Sequence, residues 1–125
     1  MKLTLQQVFD ATPIVTAIIN EKRPLPFKGS YRLMRMHAKL VPELKPVSDK
    51  YDELLKQHAT PIEGEPERYN VTPEFAAAWI DFAKDEIEIT DLEPIPFEHL
   101  DLGDSVAGSI TALELMALGP LVKGD

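Results

Sequence analysis

The sequence predicts a mainly α protein with a small β element (α+β). Three to four helices surround one core, with a long bent central helix and a short two-stranded antiparallel pairing. Three observations carry this expectation. From Ser30 onward, Leu33, Met36, Leu40, Leu44, Val47, Tyr51, Leu54 and His58 recur at steps of three and four. On a helix of 3.6 residues per turn that spacing keeps one face apolar for about eight turns. The stretch "EIEIT", residues 86–90, alternates strictly, as a half-buried strand does because its side chains point to opposite faces in turn. Thr72, Pro73 and Glu74 form a helix start: a hydroxyl to accept an orphan amide, a proline whose missing donor costs nothing there, and an acid beside the positive end of the dipole.

The elements follow in order. Thr4 and Gln7 have the spacing of a capping box, in which each side chain satisfies the other's amide. Val8, Phe9, Val15, Ile18 and Ile19 mark the apolar face of the first helix, and Pro13 sits inside it. Either the helix kinks there, or Thr12 caps a second helix that starts at Pro13. "KRPLPF" is an extended link, because Pro24 and Pro26 disfavour helix in the residues before them. Pro42 and Pro46 should bend or break the long helix near Val41, since each removes a donor and crowds the preceding turn. "ATPIEGEPER" reads as a loop. "RYNV" reads as a short strand able to pair with "EIEIT" around the intervening helix, whose buried stripe is Phe75, Ala78, Trp79 and Phe82. "SITALELMALG" gives a last short helix, capped by Ser109 or Thr111 and stopped by Gly119.

A chain of 125 residues is expected to form a single domain, 1–125. It has no cysteine, which excludes disulfides and thiolate chemistry and suits a cytosolic protein. The N-terminus lacks the apolar core of a signal peptide, and no run approaches the ~20 apolar residues of a membrane span. A soluble, intracellular protein is the expectation.

The net charge of −8 is divided unevenly. Residues 1–62 hold 10 basic and 6 acidic side chains, whereas residues 63–125 hold 3 and 15. Lys28, Arg32, Arg35 and Lys39, spaced four, three and four apart, make a basic stripe on the long helix. Glu86, Glu88, Asp91, Glu93, Glu98, Asp101 and Asp104 make an acidic edge, threaded by Ile87, Ile89, Leu92, Ile95, Phe97, Leu100 and Leu102. The apolar residues are expected to anchor this ribbon on the helical core with the carboxylates outward. Their mutual repulsion would be relieved by a surface of opposite sign, so the stripe is expected to face the edge, within one chain or across two.

Other sites are weaker. Four cations in a protein of pI about 4.8, with no aromatic platform beside them, disfavour nucleic acid as a partner. The acidic edge could instead mimic a nucleic-acid backbone and block a host defence or regulatory protein. No calcium-loop spacing occurs, and His37, His58 and His99 share no ligand spacing, so no metal or cofactor is expected. No phosphate-binding loop, dinucleotide fingerprint or nucleophile elbow is present, and no catalytic residue is nominated.

The arrangement "KRPLPFKGSYRLMRMHAKLVPELKPVSDKYDELLKQH", "RYNVTPEF", "DEIEI" and "SITALELMAL" resembles a widespread family of small uncharacterised phage and prophage proteins. The matching positions include Leu25, Pro26, Tyr31, Arg32, Leu40, Pro42, Glu43, Leu54, Tyr69, Pro73, Phe75, Ile87, Ile89, Ser109 and Leu113. The resemblance covers about residues 22–118 and lies in pattern; the first helix with its Pro13 departs from it. It implies a viral or prophage origin, with the cytoplasm of the host cell or the virion as the location, and no enzyme activity. Together with the charge division, it suggests a non-enzymatic protein acting through protein contacts, in virion assembly or as an accessory. Its partner would be itself, most simply as a homodimer, or another phage or host protein.

Overall fold

The structure is a computed structural model that describes residues 1–23, 25–100 and 111–123. Strand β1 (Lys2–Thr4) runs directly into helix α1 (Leu5–Asn20). The capping box forms as the spacing requires: Thr4 Oγ1 accepts from the Gln7 amide and the Gln7 side chain accepts from the Thr4 amide. Pro13 does not divide α1. It sits on the exposed side, and the Thr12 hydroxyl donates back to the Val8 carbonyl at 2.7 Å within the helix.

Helix α2 (Phe27–His58) continues through Pro42 and Pro46 over about 48 Å. Of the two outcomes expected at the prolines, a bend or a break, the break does not occur. Both prolines lie on the exposed side of the helix, where water can serve the carbonyls left without a donor. Buried residues flank them on both sides, Leu33, Met36 and Leu40 before, Val47 and Leu54 after. Packing along this seam holds the helix in one piece.

Two strand assignments are corrected. The stretch read as a loop after α2 is a hairpin, β2 (Thr60–Ile62) with β3 (Glu65–Asn70), turning at Gly64 with φ of +82°. "RYN" therefore pairs with its near neighbour in sequence, a closure that costs little chain entropy. Strand β4 (Glu86–Glu88), which follows helix α3 (Pro73–Ala83), pairs instead with β1, antiparallel, with Leu3 opposite Ile87. That pairing carries Leu3 into the core, where it is fully buried. Beyond it, β5 (Ile95–Pro96), a 3₁₀ turn (Phe97–His99) and helix α4 (Ala112–Leu118) follow. A second 3₁₀ turn (Gly119–Leu121) then leads into β6 (Val122–Lys123), which pairs parallel to β5. The Thr111 cap closes a capping box with Glu114, and Gly119 ends α4 at a φ of +52°.

One core joins Leu3, Val8, Ala11, Val15 and Ile18 to Leu33, Met36 and Leu40 of α2, and to Leu118 and Leu121. The acidic ribbon completes it. Ile89, Leu92, Ile95 and Leu100 are buried in the same cluster and Ile87 packs half-buried against it, while Glu86, Glu88, Asp91, Glu93 and Glu98 are exposed. Phe97 is the exception, 38% exposed, because the chain leaves the extended conformation there and enters the 3₁₀ turn. Leu102, Asp101, Asp104 and Ser109 lie outside the described residues. Farther along α2, Phe9, Tyr51, Phe75, Trp79 and Phe82 pack edge-to-face or tilted in an aromatic cluster that joins α1, α2 and α3.

Candidate docking surface

Helix α2 has two apolar seams, and among the described residues only one is packed into the core. The second runs through Phe27, Tyr31, Met34, Ala38 and Val41, every one of them exposed. Phe27 is 83% exposed, Tyr31 54%, Met34 59% and Val41 42%. The Phe27 and Tyr31 rings stack at 6.4 Å with 13° between their planes. The Arg35 guanidinium stands 5.9 Å from the centre of the Tyr31 ring, within the range of a cation–π contact. An aromatic platform therefore stands beside the basic stripe, contrary to the sequence expectation. The residues that form it are one and three positions from Lys28 and could be seen in the sequence, but only the fold shows that their side chains are not part of the core.

The stripe lies along the flank of this ridge. Lys28, Arg32, Arg35 and Lys39 all line a cleft of about 470 Å³, together with Phe27, Tyr31 and Met36. Asp91, Leu92, Glu93 and His99 also line it. The stripe and two residues of the acidic edge, Asp91 and Glu93, line the same cleft but do not touch: among the described residues none of the four cations is within ion-pair distance of a carboxylate. Elsewhere the protein does pair its lysines, as in Lys45–Asp49 at 3.3 Å and Lys84–Asp81 at 3.0 Å. Among the described residues, two anions stand against four cations in the cleft, and the like charges along α2 repel at their three- and four-residue spacings.

Backbone geometry shapes the rest of the cleft. Asp91 adopts a left-handed conformation, φ of +63°, which a short polar side chain tolerates better than most; it follows β4 and directs the ribbon along α2. Glycine at position 29 admits the 3₁₀ turn directly against the helix, with the His99 carbonyl touching it. His99 keeps its Nδ1 buried without a hydrogen-bond partner, while its Nε2 lies 3.8 Å from Glu98. Among the described residues of the acidic edge, Glu86, Glu88 and Glu98 do not line the cleft. Glu86 and Glu88 belong to β4, and Glu88 pairs with the amino terminus at 2.9 Å. His37 shares a hydrogen bond with Thr16 at 3.1 Å and His58 closes the C-terminal turn of α2.

A second cavity of about 230 Å³ lies between the end of α1 and the start of α2, lined mainly by Ile18, Ile19, Leu25, Leu33 and Met34, with Arg23 at its edge. Among the described residues no group of three or more histidines and carboxylates is placed to hold a metal ion, and no helix is long and apolar enough to cross a membrane. Compared with models of known protein families, with curated proteins and with solved structures, the chain matches none. Its function is therefore read from the geometry of α2.

Proposed function

We propose that this is a non-enzymatic protein that acts through protein–protein contacts, and that the exposed ridge and basic stripe of α2 are where its partner docks. The observation that carries this is the ridge itself. Five apolar positions in a row on one helix face are open to water, with Phe27 and Tyr31 each more than half exposed. Single exposed apolar residues are ordinary, but a contiguous patch rimmed by charge marks an interaction site. Aromatic residues and arginine are also the side chains that contribute most at protein interfaces. The unpaired cations beside the ridge select an acidic partner and speed its approach.

A phage or prophage origin, suggested by the sequence pattern, is compatible with a partner in the virion or in the infected cell. The test is a benzophenone amino acid placed at Met34 and irradiated in cells making the protein. A discrete protein adduct is expected there and not from the same group at Asp49, an exposed position outside the ridge on the same helix. An adduct with nucleic acid alone, or none at Met34, overturns the reading.

A further inference from the structure

Resting on that docking reading, we infer that the segment bound by α2 is an amphipathic helix whose apolar stripe is flanked by glutamates or aspartates, laid along residues 27–41. The ridge positions 27, 31, 34, 38 and 41 are spaced four, three, four and three, the average of 3.5 that knobs-into-holes pairing of two helices requires. Along α2 this is about 5.2 Å per layer at 1.5 Å per residue. A partner helix with the same repeat stays in step over all five layers. An extended segment presents same-face side chains about 6.7 Å apart, and would be out of step by roughly 6 Å at the fifth. The ridge also has a defined end, because the next two positions in the series are Lys45 and Ser48. The complementary stripe is thus about four turns long.

The charges repeat with the same period. Lys28 and Arg35 are seven apart, as are Arg32 and Lys39. With Phe27, Met34 and Val41 at one core position of the heptad, Lys28 and Arg35 follow directly at the flanking position that selects a partner's charge. A second copy of α2 laid antiparallel would set these cations against themselves. Laid parallel, it would offer Ser30 and His37, with no carboxylate. The partner helix is therefore acidic and is not α2 of another copy. Single-stranded nucleic acid is disfavoured because Met34, Ala38 and Val41 offer no ring for a base to stack on.

The test titrates the isotope-labelled full chain with a synthetic peptide of about three heptads, leucine at the core positions and glutamate at the flanking ones. Amide shifts confined to residues 27–41 are expected, with a gain in helical circular dichroism. Affinity should fall about tenfold or more from low to high salt, and similarly with Lys28→Glu or Arg35→Glu. Both positions are exposed; Lys28→Glu relieves like charge and should fold at least as well as the parent, while Arg35→Glu also gives up the contact with Tyr31 and is read beside it. Equal binding of a peptide of the same composition interrupted by prolines overturns the helix while leaving the docking reading standing. Equal binding of a version with lysine at the flanking positions overturns the acidic assignment. Shifts at 27–41 from an oligothymidylate and from no peptide overturn both readings. No shift with any probe overturns this inference, and the cross-link at Met34 then decides the docking reading separately.

Discussion

The main-chain carbonyl of His99 rests against Gly29, so close that a methyl group added to Gly29 would overlap it. Glycine in a helix normally costs about 1 kcal/mol relative to alanine. Here that cost permits contact between the first turn of α2 and the 3₁₀ turn, brings Leu100 into the core, and fixes one end of the cleft. The close approach reverses the usual sign of a substitution. Gly29→Ala should lower stability by roughly 2 kcal/mol, as overpacked sites do, whereas Ser30→Ala, one position on and exposed, should leave it unchanged or raise it slightly. Urea midpoints for the two variants decide the matter, and a stabilised Gly29→Ala would mean that the turn does not sit against α2.

Glu114 joins the start of α4 to the link between α1 and α2. Its carboxylate accepts from the Thr111 amide at 2.9 Å and from the Arg23 guanidinium, which also donates to Glu21 at 2.5 Å. Arg23 and Glu114 are both largely shielded from solvent, at 19% and 14% side-chain exposure. The hydrogen bond from Arg23 holds the Glu114 carboxyl below its ordinary value of 4.5. A folded-state value below the unfolded one means the stabilisation is complete above the unfolded value and is lost as pH falls through the folded one. Glu114→Gln keeps a capping side chain but removes the charge, and should cost about 1.5–3 kcal/mol at neutral pH. The difference from wild type should shrink below pH 4.5 and vanish once the wild-type carboxyl is protonated. Denaturation midpoints across that range test it: a gap that persists in strong acid would exclude Glu114 as its source.

Much of the fold was legible because its signals are local. The caps at Thr4, Thr72 and Thr111 and the glycine stop at position 119 each need only a few neighbouring residues, and each forms as read. The partner of β4 was not legible, since Lys2–Thr4 is too short to carry an alternating pattern and lies more than eighty residues away. The long helix α2 was legible from its seam, but whether Pro42 and Pro46 would break it was not, for a different reason. Proline's local cost is fixed at about 3 kcal/mol, but what offsets it is packing by Leu40 and Val47 on the far side of the helix. The candidate site was half legible. The stripe could be read from charge alone, and so could the apolar anchoring of the ribbon. The ridge could not, because Phe27, Tyr31 and Met34 follow the same three-and-four spacing as the buried seam and differ from it only in what the fold places over them.

The indole of Trp79 donates to the Gln6 side-chain oxygen at 2.6 Å, tying the aromatic cluster of α3 to the first turn of α1. Gln6→Leu keeps the bulk but removes the acceptor. The indole is only half-buried and can turn partly to water, so the loss should be about 1 kcal/mol, at the low end for an orphaned donor. Trp79 is the only tryptophan, and its fluorescence should shift on the substitution. An unchanged spectrum with unchanged stability would show that the hydrogen bond contributes nothing.

Pro42 lies one residue beyond the last apolar position of the ridge, inside a helix that it does not interrupt. Its ring nitrogen cannot donate to the Ala38 carbonyl, so α2 forms there at a cost that alanine would not incur. Pro42→Ala restores the donor and improves intrinsic helix propensity by up to about 3 kcal/mol. It also frees the unfolded chain, which takes back up to about 1 kcal/mol. A net rise of about 1–2 kcal/mol is therefore expected, with no loss of docking, because the five ridge positions all precede the substitution. Chemical denaturation gives the first quantity and the acidic-helix titration the second. A fall in stability would mean that the proline ring or a local bend at Val41 is needed by the core. A rise in stability with lost binding would place Pro42 in the docking surface itself, extending that surface beyond Val41.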